Sequence, residues 1–157
     1  MARETPATRA AKAAGVVFTV QSYDYDPGDG RVGLQAADAL GEPPARVLKT
    51  LMAEADERPV CVIVACDREV AMKKLAAAAG AKAARMMPPA AAERITGYKV
   101  GGISPLGQRR RVPTFLDAAA LDEAVVYVNG GQRGLQIRLA PADLVAATGA
   151  TVARLAG

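Results

Sequence analysis

The residues of this chain that could do chemistry are concentrated in three short segments. Lys49 lies in an apolar run, where an unpaired ammonium is costly. Residues 97–107, the first glycine loop, include four glycines and one proline; residues 129–134, the second glycine loop, include three glycines and Arg133. Glycine lets a backbone approach a ligand closely, and successive N–H groups can bind an anion. The sequence predicts either a cleft for a phosphate or oxyanion, or two surface turns and a lysine on the solvent face of a strand.

Residue types that are absent or rare exclude the commonest catalytic centres. The chain has no histidine and only two serines, Ser22 and Ser104, which excludes the usual triads and a histidine general base. The two cysteines, Cys61 and Cys66, fall in one predicted strand and point to opposite faces. We therefore expect no disulfide, metal site or cofactor, and a cytoplasmic location. No apolar run approaches the roughly 20 residues of a membrane span.

The positive charge is modest overall and uneven along the chain. The net charge is +4, yet residues 94–116 contain five basic and no acidic side chains. Such a segment favours a phosphate-bearing partner, above all a nucleic acid, although a solubilising basic loop has the same composition. The six aromatic residues are too few for an extended platform on which single-stranded bases stack.

Apolar periodicity predicts one mixed α/β domain over residues 1–157, with strands and helices interleaved. Asp67 is predicted to cap the helix that ends at Ala79. Tyr23 and Asp24 lie where the first strand gives way to an irregular loop, 24–30; they are either site residues or a cross-strand tyrosine and a turn-forming aspartate. The predicted strands are 16–23, 46–53, 60–66, 82–86, 112–116, 125–128 and 135–139, and the predicted helices are 6–14, 32–40, 67–79, 88–96 and 140–147.

Taken together, three motifs resemble the YbaK/EbsC family of aminoacyl-tRNA deacylases. They are KTL at 49–51, GYKVGGISPLGQ at 97–108 and GGQRGL at 130–135. The likeness extends over nearly the whole chain, with SYDYDP at 22–27 and PADL at 141–144. The sequence is most similar to the YbaK branch, the Cys-tRNA(Pro) deacylases, which are free-standing relatives of the editing domain of bacterial prolyl-tRNA synthetases.

The resemblance implies a fold and an activity. The fold would be a mixed, partly barrel-like β-sheet surrounded by helices. The activity would be the hydrolysis, in trans, of cysteine mischarged on tRNA(Pro), with prolyl-tRNA synthetase as a transient partner that hands over the aminoacyl-tRNA. Two other functions stay open: a module that binds aminoacyl-tRNA or the synthetase without turnover, and a deacylase for another small amino acid such as alanine.

The resemblance also assigns the site residues. Lys49 matches the essential lysine of the family, and the backbone N–H groups of Gly101 and Gly102 would line the carbonyl side of the substrate. The substrate pocket would comprise Tyr23, Thr50, Ile103, Ser104, Pro105, Asn129, Gly131, Arg133 and Gln136. The residues expected to reach tRNA phosphates are Arg109, Arg110 and Arg111.

Three positions depart from the family pattern. Asn129 stands where close relatives often carry serine, Gln136 where some carry aspartate, and Tyr25 where a histidine is usual. The route that the resemblance implies uses the substrate's own thiol, which attacks its own ester carbonyl in a hydrolase- or lyase-type cleavage. Positioning alone can lower such a barrier by roughly 7–11 kcal/mol. This route explains how a chain without histidine could cleave an ester.

Overall fold

The computed structural model of the chain describes residues 4–26 and 32–157, so the predicted loop residues 27–30 lie outside it. Strands and helices alternate along these residues, which confirms the mixed α/β class. The helices are α1 (Pro6–Ala13), α2 (Val32–Leu40), α3 (Met72–Ala79), α4 (Pro89–Thr96) and α5 (Pro141–Thr148). The strands are β1 (Phe18–Ser22), β2 (Leu48–Ala55), β3 (Arg58–Ala65), β4 (Ala84–Met86), β5 (Thr114–Asp117), β6 (Val126–Asn129), β7 (Leu135–Leu139) and β8 (Thr151–Ala153), and short 3-10 helices lie at Pro44–Arg46 and Ala118–Asp122.

The larger sheet has the strand order β4-β2-β3-β5-β8. Strand β3 lies at its centre because its run of β-branched residues is apolar on both faces, and Val62, Ile63 and Val64 are fully buried. It pairs antiparallel with β2 and parallel with β5. Ile63 packs in one hydrophobic cluster, whereas Val62 and Val64 pack in another on the opposite face.

The smaller sheet is antiparallel and has the strand order β1-β7-β6. At the loop end of the β6–β7 ladder, Gln136 of β7 pairs with Asn129 of β6. A single parallel bridge between Val47 and Tyr127 joins this sheet to β2. Lys49 and Asn129 both lie two residues beyond that bridge, so the bridge brings them to the same level. The strands that the structure describes form two linked sheets and do not close into a barrel.

Helix α1 connects the start of the chain to both glycine loops. Thr5 caps the helix and Pro6 occupies its first turn; the Thr5 hydroxyl accepts a 3.1 Å hydrogen bond from the Thr8 N–H. The same hydroxyl donates to the Gly130 carbonyl over 2.6 Å. Gly107 of the first glycine loop lies directly against the Pro6 backbone. The start of the helix is therefore in contact with both loops.

Helix α3 begins later than its capping signal predicts. The predicted helix from Asp67 starts only at Met72, and its N-cap is Ala71, which makes no side-chain cap. The preceding segment is held by the C-terminal tail, because Val70 forms a bridge to the tail and the Ala71 N–H donates to residue 155 over 2.8 Å. This long-range pairing outweighs the local capping signal.

Strand β8 was not predicted; it pairs parallel with β5 at the edge of the larger sheet. The other differences lie at element ends. Strand β2 starts at Leu48, after the 3-10 turn that Pro44 opens, and it continues to Ala55. Strand β1 starts at Phe18 because Val17, predicted to be in it, is 82% exposed and unpaired with β7. None of the helices in residues 4–26 and 32–157 combines the length and the apolar character of a membrane span.

Two glycines allow the packing of α1 against the first loop to be measured. Gly80 and Gly107 share a left-handed backbone, with φ of +69° and +67°, but only a Cβ at Gly107 would overlap the Pro6 carbonyl, whereas Gly80 faces open space. We expect Gly80→Ala to lower the free energy of unfolding by about 1–2 kcal/mol, the cost of left-handed backbone for alanine. Gly107→Ala should lower it by about 2 kcal/mol more, since the backbone must move. Urea unfolding of both variants measures this, and equal losses would contradict the packing.

Candidate functional site

A cavity of about 520 Å³ opens between β2, the start of α4 and the two glycine loops. This volume lies within the range of small-molecule pockets. Of the predicted site residues, the cavity brings together Lys49, Thr50, Gly101, Ile103, Asn129 and Gln136. Its wall is mainly apolar, and its apolar side chains include Leu34, Leu48, Met52, Met87, Val100 and Ile103.

Lys49 is the one basic side chain among the described residues that line the cavity. Its side chain is 23% exposed, and its Nζ lies 3.4 Å from Oε1 of Glu69. The Glu69 side chain is 91% exposed, so this ion pair contributes at most about 1 kcal/mol. The ammonium is held at the cavity by a weak partner that a ligand anion could replace.

The Asn129 side chain joins the two glycine loops. Its Nδ2 donates to the Gly101 carbonyl over 3.2 Å, and its Oδ1 accepts from the Gly131 N–H over 2.7 Å. Arg133 reinforces the contact, because its Nε and Nη2 donate to the Val100 carbonyl over 3.1 and 2.6 Å. Asn129 is only 8% exposed, so its amide is shielded from water and both of its ends are in use.

The glycines of the first loop make room for the second loop. A Cβ on Gly101 would meet the Arg133 guanidinium at 2.6 Å, and one on Gly102 would meet the backbone of Gln132 and Arg133 at 3.0–3.2 Å. The Gly102 N–H already donates to the Lys99 carbonyl over 2.8 Å. We expected these glycines to allow close approach to a substrate. On the side where a Cβ would stand, they instead allow the two loops to pack together.

Five of the predicted pocket residues lie outside the cavity wall, and three of them, Ser104, Pro105 and Gly131, pack within the two glycine loops. Ser104 and Pro105 are buried residues of the first loop itself, and the Ser104 hydroxyl accepts from the Leu106 N–H over 3.2 Å. Gly131 packs against Tyr98, whose ring a Cβ would meet at 2.9 Å. These residues shape the loops that form the wall.

Tyr23 and Arg133 lie in a separate depression of about 360 Å³, together with Ser22, Asp24, Tyr25 and Gly134. The Arg133 guanidinium lies over the Tyr25 ring, 5.4 Å from its centre. Burial raises the pKa of Tyr23, an effect that the backbone of Gly134 and the side chain of Gln136 partly oppose. Tyr23 therefore lies in this second depression and is not part of the cavity wall.

Three side-chain polar atoms are buried and have no hydrogen-bond partner among the described residues. They are the Tyr23 hydroxyl, Thr50 Oγ1 and Gln136 Oε1. A buried polar atom left unpaired costs about 1–3 kcal/mol, so such atoms are rare. Thr50 and Gln136 both line the cavity, so a polar ligand bound there would supply the hydrogen bonds that these atoms lack.

Neither cysteine can supply a nucleophile at neutral pH. Cys66 lines the cavity, but burial, together with the nearby charge of Asp67, raises the pKa of its thiol to about 11. Burial raises the pKa of Cys61 to about 12. At pH 7 less than about one thousandth of either group is the reactive thiolate.

The three predicted tRNA-binding arginines, Arg109, Arg110 and Arg111, are exposed and lie outside the cavity. The N–H groups of the first two donate to the last carbonyls of α4, whose first turn borders the cavity. At 1.5 Å per residue, that end of α4 lies roughly 6 Å along the helix from Ala92, which lines the cavity. Positive side chains at a helix C-terminus are also favoured by the helix dipole.

The sequence alone did not reveal several lining residues, among them Glu69, Met87, Pro89 and Ala92. Glu69 stands in no recognisable motif, and the C-terminal tail holds its backbone, since the Gly157 N–H donates to the Glu69 carbonyl over 2.9 Å. Pro89 and Ala92 lie in the first turn of α4, and only the predicted helix start at Pro88-Pro89 gave a signal there.

The fold and the cavity define an α/β domain with a small-ligand site, walled by a strand lysine and two joined glycine loops. The aminoacyl-tRNA editing domain family matches residues 33–147, and the chain belongs to this family. By class it is an enzyme, an aminoacyl-tRNA deacylase, which confirms the class that the three motifs predict.

Named relatives agree with this family. The chain is 35% identical to EbsC of Enterococcus faecalis, a proposed Cys-tRNA(Pro)/Cys-tRNA(Cys) deacylase, over 76% of this chain and 73% of that protein. It is 30% identical to a proline–tRNA ligase of Anaeromyxobacter over 78% of this chain and 22% of that enzyme. These names describe deacylation and ligation, and none supports the lyase alternative.

Solved structures share the fold. The crystal structure of hypothetical protein APE2540 matches with a TM-score of 0.88 and 25% identity, and the match covers 98% of this chain and 100% of that one. A proposed trans-editing enzyme for prolyl-tRNA synthetase matches with a TM-score of 0.81 and 24% identity, over 99% of both chains. The mixed α/β fold predicted from the resemblance is thereby confirmed.

Removal of the Asn129 amide tests its role in joining the loops. Asn129→Ala leaves the Gly131 N–H and the Gly101 carbonyl without their partner, so we expect the free energy of unfolding to fall by about 1–3 kcal/mol. The control is Gln132→Ala in the same loop, whose side chain makes no hydrogen bond with the described residues; it should stay within about 0.5 kcal/mol. Chemical denaturation measures both, and a loss no larger than that of the control would contradict the role.

Proposed function

We propose that this deacylase hydrolyses Cys-tRNA(Pro) in trans. The observation that carries the proposal is Lys49, a cation in the wall of a mainly apolar cavity whose size suits an aminoacyl group. The proposed substrate of EbsC supports the choice of amino acid and tRNA. The apolar lining favours a small, weakly polar side chain such as that of cysteine.

In the proposed reaction the substrate supplies the nucleophile. Its thiol sulfur forms a bond to its own ester carbonyl, and the bond from that carbonyl to the ribose oxygen breaks. The ribose oxygen takes up a proton, and water then opens the cyclic thioester to free cysteine. The thiols of Cys61 and Cys66 have raised pKa values and stay out of the reaction, which supports a nucleophile from the substrate.

The protein contributes position and charge. Lys49 stabilises the departing ribose oxygen or holds the phosphate of the terminal adenosine. The Gly101 N–H, which has no acceptor among the described residues, faces the ester carbonyl, and Gly102 acts through the loop turn that its N–H closes. A fixed donor of this kind is worth about 2.7–4 kcal/mol in the transition state.

The rest of the tRNA and its source complete the proposal. Arg109, Arg110 and Arg111 bind phosphates beyond the terminal nucleotide, and Tyr23 and Arg133 border the second depression on the way out. Prolyl-tRNA synthetase hands over the charged tRNA, a role that the similarity to part of a proline–tRNA ligase supports. The reaction then takes place in the cytoplasm.

Substitution of the lysine tests the site. We expect Lys49→Ala to lower kcat/KM for deacylation of Cys-tRNA(Pro) by at least about 100-fold, because a charge that acts on the transition state is lost. Its thermal unfolding should hardly change, since the ion pair with Glu69 is weak. The control is Lys73→Ala, which removes an exposed lysine of α3 and should keep full activity. Full activity of Lys49→Ala would eliminate the role of Lys49.

A panel of charged tRNAs tests the substrate and the route. Cys-tRNA(Pro) should be deacylated at least about 100-fold faster than Ser-tRNA or Ala-tRNA, since only cysteine brings a strong internal nucleophile. Time courses of released amino acid provide the rates. Equal rates for cysteine and serine would indicate an activated water, a preference for alanine would indicate the other small substrate, and binding without release would indicate a non-catalytic module.

A further inference from the structure

The inner surface of the cavity has buried hydrogen-bond acceptors that no donor among the described residues satisfies. Gln136 is 3% exposed, and its Oε1 has no hydrogen-bond partner in the part of the chain that the structure describes. Thr50 Oγ1 is also buried and has no hydrogen-bond partner there. Both residues line the cavity. Buried oxygen atoms without partners are uncommon, and a ligand group that reaches them would satisfy them.

The amide oxygen of Gln136 is an acceptor without a partner among the described residues, and Gln136 lines the cavity. Its neighbour across the strands, Asn129, uses its own amide to join the two glycine loops and does not pair with it. An amide oxygen can only accept hydrogen bonds, so a ligand must supply the donor.

The available groups select the chemistry of the ligand. Gln136 Oε1 only accepts hydrogen bonds, and a threonine hydroxyl can accept them as well. The one carboxylate among the lining residues described, Glu69, is exposed and pairs with Lys49. A ligand group with several N–H donors on one atom fits two neutral oxygens, and in an aminoacyl ester that group is the α-amino group.

We propose that Gln136 Oε1 and Thr50 Oγ1 bind the free α-amino group of the aminoacyl ester, so that the site rejects aminoacyl-tRNAs whose amino group is acylated. The inference rests on the proposed function. Acylation leaves one N–H and adds bulk next to the buried wall, so it removes donors and blocks the approach. The enzyme therefore spares tRNAs that carry a peptide or another N-acyl group.

The first experiment compares Cys-tRNA(Pro) with N-acetyl-Cys-tRNA(Pro). Acetylation keeps the thiol and the ester, and we expect it to slow deacylation by at least about 100-fold, as for a site that loses its hydrogen-bonded group. Equal rates would overturn the inference and leave the proposed function intact. Failure to cleave either substrate would overturn the proposed function.

A binding measurement keeps the inference testable even without turnover. The probes are 3′-amino-3′-deoxyadenosine carrying cysteine in a stable amide bond, and the same compound with an N-acetyl group. Calorimetry should find the free amine bound at least about tenfold more tightly, and equal affinities would overturn the inference.

Substitution of Gln136 separates recognition from a structural role. Gln136→Met removes the acceptor at similar volume, and we expect the ratio of affinities for the free and acetylated probes to fall towards one. The unfolding midpoint should stay the same or rise, because an unpaired buried oxygen is lost. Gln21→Met is the matched control, since Gln21 is the β1 partner of Gln136 and lies outside the cavity lining; it should keep the ratio of the wild type. An unchanged ratio in Gln136→Met would contradict the assignment.

Discussion

The hydrogen bonds of the Asn129 side chain are the contacts on which the site depends. The amide donates to the Gly101 carbonyl and accepts from the Gly131 N–H, and so joins the two loops. Asn129 and Gly101 are 28 residues apart in the chain. An amide can do both because it carries a donor and an acceptor, whereas a serine hydroxyl at this position would be shorter. The asparagine at this position thus forms a direct bond between the loops.

This contact between the loops explains the glycines at positions 101 and 102. Gly101 and Gly102 have no Cβ because the second loop fills the space where a side chain would stand. The second loop is fixed in turn by the Thr5 hydroxyl, which donates to the Gly130 carbonyl. The helix start, the second loop, the first loop and the cavity wall therefore form one packed series, and the wall is ordered by contacts far from any ligand.

The sequence predicts what depends on local chemistry and misses what depends on distant partners. The apolar β-branched run of β3, and the proline starts and glycine ends of α4 and α5, are local signals, and the structure confirms them. The start of α3 is set by the C-terminal tail, more than 80 residues away in the chain, so the capping signal at Asp67 was misleading. For the same reason Glu69 could not be identified, and neither could the packing of the two glycine loops against each other.

The cavity combines few polar groups with a chain that lacks histidine, and both facts bear on how a deacylase of this kind can work. Its thiols are too weakly acidic to attack an ester at neutral pH, and Lys49 provides charge without an obvious base beside it. A site of this composition gains most from holding a reactive substrate in place, since orientation is the contribution that needs no acid or base. A fixed wall then matters more than a reactive side chain, and the Asn129 contact is part of that wall, because it holds Gly101 in place at the cavity.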